Sequence, residues 1–234
     1  DRRAVIGGGL SVLRAVFDLL AVNEMQAAQG ALRQGVLYDL LDREQGNTDV
    51  RYATVQRLAS KFEVDAAQAQ RVGKVATGLL RQLHAGAPAA ETERAQRKLQ
   101  WAAQLHEIGS LISHSDAHKH GAYILDNTDA LGFDQPELHR LSLLVLGHRG
   151  KLRKLEVDFE DRLFIHQLFC LRLAVILCHA RRDPDLTGLR LRNGERHLSI
   201  TMKPEWARTY PQSAHLLREE AVAWQKTPWS LAVQ

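Results

Sequence analysis

The sequence predicts a mainly helical protein: an α-helical domain with small α/β pieces at both ends. Three observations predict it. From Val50 to about Arg182, apolar residues recur at helical spacing in one run after another. After Pro184 the pattern becomes strand-like around Asn193-Gly194, the signature of a hairpin with a primed turn. Before Asp42, short apolar runs alternate with glycines, as at the edge of an α/β layer. The expected divisions are residues 1–44, 45–184 and 185–234.

At the start, Ala4–Ile6 reads as a short strand and Gly7-Gly8-Gly9 as a tight loop. Leu10–Leu20 follows as a helix with Leu10, Leu13, Val16, Phe17 and Leu20 on one face. Glycines ahead of a helix can cradle a phosphate on free N–H groups, which makes Gly7, Gly8 and Gly9 a candidate phosphate loop; a plain strand-to-helix turn is the alternative. Asn23–Ala28 fits a second strand, and Gly30–Gly35 turns into a helix over Val36–Leu41. There is no initiator methionine, and the chain is expected to be a piece of something longer.

The polar stretch Asp42–Asp49 marks the boundary to the helical domain. Thr54–Phe62 presents Val55, Leu58, Ala59 and Phe62 on one face. Asp65 is placed to cap a helix running to Leu83, and Gly86-Ala87-Pro88 breaks it. Helices are expected over Glu91–Ile108, His118–Asn127, Glu137–Gly147 and Phe159–Ala180, the last being the most apolar. Beyond the hairpin of Leu189–Arg192 and His197–Met202, Ser213–Gln225 is helical and Trp229–Val233 a final strand.

Composition narrows the function classes. The net charge of +4, with a pI near 9.2, favours an anionic partner. No apolar run reaches the roughly 18 residues of a membrane span. Cys170 and Cys178 sit eight apart on one helical run, about 12 Å of rise, too far for a disulfide. Reduced core thiols place the protein in the cytoplasm, with peripheral membrane association as an alternative.

The chemistry concentrates in Leu105–Leu125, which holds four of the eleven histidines: His106, His114, His118 and His120. Such a cluster needs a metal, an anion or a dense hydrogen-bond network. His106-Glu107 at a helix end has the form of a metal phosphohydrolase of the HD type. That site needs an early histidine and a late aspartate, and no aspartate stands around Leu171–Ala174. No metal is therefore expected, His106 and Glu107 being the nearest approach to ligands. A loop-pinning role fits both residues better.

Longer motifs carry a resemblance. Gly7–Leu10 and Gly30-Ala31-Leu32-Arg33-Gln34-Gly35-Val36-Leu37-Tyr38-Asp39-Leu40-Leu41 resemble the end of the phosphatase core of the exopolyphosphatase / guanosine pentaphosphate phosphohydrolase family. His106–Gly109, Ile112–His114, His118–Leu125, Gly132-Phe133 and His148-Arg149 resemble its C-terminal helical domain, a degenerate HD relative. The similarity covers nearly the whole chain, and the stretch Ser113–Gly121 leans toward the exopolyphosphatase branch.

The resemblance implies an HD-like helical domain preceded by the edge of an actin-like ATPase domain and followed by a small α+β unit. It implies release of terminal phosphate from inorganic polyphosphate, or alternatively action on guanosine pentaphosphate. The catalytic carboxylates and Mg²⁺ would lie in the core cleft, mostly outside these residues, so that the chain alone would be inactive. A homodimer is expected, and no specific nucleic acid. Two rivals remain: a stand-alone HD-type metal-dependent phosphohydrolase, and a pure dimerisation module.

What this part keeps suits a polyanion. A track of cations is the physical requirement, and the attraction should fall with salt. The candidate substrate-binding residues are Arg33, His114, His118, Lys119, His120, His148, Arg149, Lys151, Arg153 and Lys154.

Overall fold

The computed structural model describes residues 5–25, 32, 35, 49–86 and 88–234. The chain divides into two compact units, Asp1–Leu37 and Tyr38–Gln234.

In the first unit, α1 spans Ile6–Leu20 and closes on Ala21 in the left-handed conformation. The expected strand and glycine loop are thus replaced: Gly7, Gly8 and Gly9 form the first turn of α1. Nothing described lies within 4 Å of a Cβ built on any of the three, so no cradle for a phosphate is formed around them by the described residues. The apolar residues Ile6, Leu10 and Leu13 allow the helix to extend back through the glycines. Asn23–Met25 carry no regular structure. The rest of the expected strand to Ala28, the helix Val36–Leu41 and Arg33 lie outside the described residues.

The second unit starts with α2 (Val50–Lys61), α3 (Ala66–Leu83) and α4 (Ala89–Leu105). After the histidine loop come α5 (Ala117–Asp126), α6 (Gln135–Gly147), a single 3-10 turn at Leu152–Lys154, and α7 (Arg162–Leu177). Aspartates set several of the starts. Asp65 accepts from the Gln68 N–H at 3.0 Å, Asp134 from Glu137 at 2.7 Å and Asp161 from Phe164 at 2.9 Å. A carboxylate here satisfies an orphan donor and meets the positive end of the helix dipole.

The chain then forms β1 (Leu189–Asn193) and β2 (His197–Met202), followed by α8 (Pro204–Thr209), α9 (Pro211–Trp224) and β3 (Ser230–Val233). β1 pairs antiparallel with β2, Leu191 opposite Ile200, and β3 joins β2 in parallel, Leu198 beside Leu231. Two helices in the connection permit the parallel pairing, which a tight turn could not make. The hairpin turn falls later than expected. Asn193 ends β1, Gly194 donates to the His197 carbonyl at 2.7 Å, and Arg196 takes the left-handed conformation at φ 53°.

One hydrophobic core runs through this unit. It joins Leu79, Leu99, Leu144 and Leu168 of the helices to Leu189, Ile200, Trp224 and Leu231 of the last fifty residues. Residues 185–234, expected as a unit of their own, thus share their core with the helices. Cys170 and Cys178 are free and buried, and no helix among the described residues is long and apolar enough to cross a membrane.

Candidate functional site

Two glycines set the backbone of the histidine loop. A Cβ on Gly109 would stand 2.1 Å from the Ala117 carbonyl oxygen and 2.5 Å from the Gly121 amide nitrogen. A Cβ on Gly121 would stand 2.8 Å from Val145 and 3.1 Å from Ile108. The loop therefore lies directly on α5, and α5 directly on α6.

This packing lines up three histidines from three segments. His106 follows α4 and is buried, its Nδ1 donating to the Ala103 carbonyl at 2.7 Å. His148 follows α6 and is likewise buried, its Nδ1 donating to Val145 at 2.6 Å. A neutral ring that donates through Nδ1 keeps a lone pair on Nε2. The His106 and His148 rings meet edge to face with centroids 5.4 Å apart, and His118 of α5 stands 6.3 Å from His148. Burial holds His106 low. Burial, and next the neighbouring His106, holds His148 well below the ordinary histidine value. Burial also lowers His118, aided by the Arg149 guanidinium.

His118 ends this row at the surface, in the wall of an open depression of about 400 Å³. Lys119, Arg149, Lys151 and Lys154 line it with him, over an apolar floor that includes Leu152 and Leu155. One carboxylate, Asp116, shares the lining and pairs with Lys119 at 2.8 Å. The buried Leu152 anchors the 3-10 turn, which leaves Lys151, Arg153 and Lys154 on the outside.

The loop carrying Arg149 is fixed from beneath by Arg172, near the middle of α7. Its Nη1 donates to the Gly147 carbonyl at 2.6 Å and its Nη2 to Gly150 at 3.3 Å. The same guanidinium donates through Nε and Nη2 to Glu220 of α9, the Nη2 contact measuring 2.7 Å. Trp224 Nε1 donates to Glu220 as well, at 2.7 Å. Glu107, beside His106, accepts from Arg181 at 3.0 Å, and Arg181 also reaches Asp65 at 2.6 Å. Glu107 thus ties the histidine loop to the ends of α3 and α7.

Of the ten expected binding residues, His118, Lys119, Arg149, Lys151 and Lys154 meet at this depression. His148, expected on the binding face, lies buried behind it, because its ring fills the space between His106 and His118. His114 is exposed on the loop, His120 is half-buried on α5, and Arg153 is exposed; none of the three lines the depression. Arg172 and Glu220 were not among the expected residues. Their signal was present: an arginine inside the apolar run of α7 requires a buried partner.

A metal does not fit the described residues. They contain no group of three or more His, Cys, Asp or Glu side chains placed to hold one. The stretch Leu171–Ala174, where a late acidic ligand is expected, carries no carboxylate and one guanidinium, Arg172, and a fixed cation repels a second one.

Fold and site together define a mainly helical domain that offers a cationic depression to solvent, with a row of histidines running inward from its wall. The family description "Ppx/GppA phosphatase, domain III" matches residues 50–221. The chain is 35% identical over 239 residues to the "Guanosine-5'-triphosphate,3'-diphosphate pyrophosphatase" of Pseudoalteromonas translucida (strain TAC 125), covering all of this chain and 47% of that protein. It is 33% identical to the protein of the same name from Vibrio atlanticus (strain LGP32), covering 100% of this chain and 47% of that one. For the Aeromonas hydrophila protein the identity is 34%, over 98% of this chain and 47% of that one. The chain belongs to the Ppx/GppA phosphatase family, and it spans about half the length of the curated relatives it matches.

Proposed function

We propose that this chain is part of a phosphoanhydride hydrolase of the guanosine pentaphosphate branch, and that the depression beside His118 holds the phosphate chain of the substrate. The observation that carries the reading is the convergence of Lys119, Arg149, Lys151 and Lys154, from two separate segments, on one hollow. Four cations around a single carboxylate suit a ligand bearing several phosphates, each a separate negative charge. Arg149 can bind a phosphate with two parallel N–H donors, while the lysines act as point charges.

The branch follows the relatives. Ser113–Gly121 leans by resemblance toward exopolyphosphatase, but the three curated relatives named above carry the guanosine name, which supports the alternative. The role of these residues is binding and orientation, with no chemical step assigned to them. The Mg²⁺ and catalytic carboxylates that the resemblance implies belong to the phosphatase core.

Calorimetric titration of the chain with guanosine pentaphosphate, at low and at physiological salt, tests the reading. Binding that weakens steeply with salt, and weakens further in Arg149→Gln and Lys154→Gln, is the expected result. Affinity unchanged in both variants would overturn the assignment to the depression. Tighter binding of a long inorganic polyphosphate than of guanosine pentaphosphate would return the reading to the exopolyphosphatase branch.

A further inference from the structure

We propose that His118 takes up a proton when a polyphosphorylated ligand enters the depression, so that anion binding and the charging of this imidazole are one linked event. The inference rests on the binding role proposed above and adds its regulation by pH.

The geometry places His118 between two environments. One side of the ring lines the depression with Lys119 and Arg149. The opposite side is closed: Nδ1 is buried and has no hydrogen-bond partner among the described residues. Behind it lies His148, whose own Nδ1 is engaged by Val145 and whose Nε2 keeps its lone pair. Gly150 stands beside Nε2; a Cβ there would be 3.2 Å from that atom, so the absent side chain leaves room at this edge of the ring.

The charged groups facing His118 come from every segment around it. On its own helix and cap these are Lys119 and Asp116; on the loop after α6, Arg149, with Lys151 and Lys154 lining the same hollow; on α7, Arg172. All but Asp116 are cations. The single carboxylate, Asp116, already neutralises Lys119 at 2.8 Å. In the free protein the field and the burial therefore both favour the neutral ring.

A ligand with several negative charges reverses that balance. It compensates Arg149, which otherwise repels the imidazolium, and adds attraction within one hollow. The proton binds at a ring nitrogen, forming an N–H bond; it comes from solvent, and no other bond changes. The new donor finds its acceptor in a phosphate oxygen of the bound ligand. Neither His148 nor His106 can play this part, since both are fully enclosed and already committed to backbone carbonyls.

Linkage gives the sign. Where the ring is neutral in the free protein and charged in the complex, the binding constant falls about tenfold per pH unit as pH rises. The test is calorimetric titration of the whole chain with inorganic tripolyphosphate, in two buffers of different ionisation enthalpy, between pH 6 and pH 8.5. Proton uptake on binding, removed in His118→Gln while binding at pH 8.5 persists, is the expected result. Comparing the two proteins cancels the titration of the ligand's own phosphates. NMR titration of the His118 ring in the unaltered chain gives the same answer without a substitution: its pKa should rise when tripolyphosphate is added. Binding with no change in that pKa, or uptake that survives in His118→Gln, overturns the inference and leaves the binding role standing. No binding of tripolyphosphate at low salt overturns both.

Discussion

Arg172 and Glu220 form a salt bridge between α7 and α9 in which each side chain is only 5% exposed. The pair supports the binding face from within, because the same guanidinium holds the carbonyls of Gly147 and Gly150. Two buried charges cost a good deal of solvation, and removing one partner leaves the other uncompensated. Glu220→Ala should therefore destabilise the protein by about 3–5 kcal/mol in denaturant unfolding. The double change Arg172→Met with Glu220→Leu should recover most of that loss. It should still bind tripolyphosphate more weakly than the unaltered chain, since the loop from Gly147 to Gly150 loses its anchor. Equal affinity would show that the loop holds itself.

The cations of the depression are exposed, so their effect should appear in binding rather than in folding. Lys119→Gln, Arg149→Gln and Lys154→Gln should each leave thermal stability nearly unchanged. Each should flatten the slope of log affinity against log salt by roughly one unit or less, as expected for one phosphate contact. Arg153→Gln provides the contrast, because Arg153 does not line the hollow. A salt slope altered equally by all four changes would mean a diffuse basic surface instead of a site.

Acid should weaken the fold through His166. Its Nδ1 lies 2.9 Å from Nε2 of His84, and its own Nε2 is buried without a partner among the described residues. Burial, then the neighbouring His84, lowers its pKa to about 4. Between that value and the ordinary histidine pKa of about 6.5, the unfolded chain binds a proton that the folded chain refuses, so stability falls as pH falls through this window. The loss should approach about 3 kcal/mol at its lower end. Melting curves at pH 7 and pH 4.5 should differ less for His166→Gln than for the unaltered protein.

Glycine substitutions should separate close packing from plain flexibility. Gly109→Ala brings a methyl group to 2.1 Å from the Ala117 carbonyl, and backbone cannot yield cheaply. It should cost about 3 kcal/mol or more and disorder the histidine loop. Gly78→Ala, inside α3 with nothing within 4 Å, should instead stabilise by about 0.4–1 kcal/mol. Urea midpoints of the two variants should move in opposite directions.

Much of the helical part could be read from local pattern. The Asp65 cap, the end of α3 at Leu83 and the hairpin partners Leu189 to Met202 follow from spacing and capping chemistry. Gly7–Gly9 misled because glycines usually interrupt structure, whereas the flanking apolar residues here carry a helix through them. At the site, Lys119, Arg149 and Lys154 were legible as charges, but their convergence needed the Gly109–Gly121 contact, which no spacing rule reveals. His148 looked like a surface residue because it opens a basic run; the row from His106 to His118 buries it. The partnership of Arg172 with Glu220 spans 48 residues and depends on how α9 returns across α7.

The contact between His166 and Trp229 gives the molecule an optical readout of its own. The two rings stand edge to face with centroids 5.7 Å apart, and the indole is almost fully enclosed. An imidazolium quenches indole emission far more than a neutral imidazole does. As His166 charges, this one tryptophan should dim before the fold gives way, while Trp101, remote in sequence and edge to face with Phe133, stays bright. Steady-state fluorescence could then follow protonation of a single interior group without any added label.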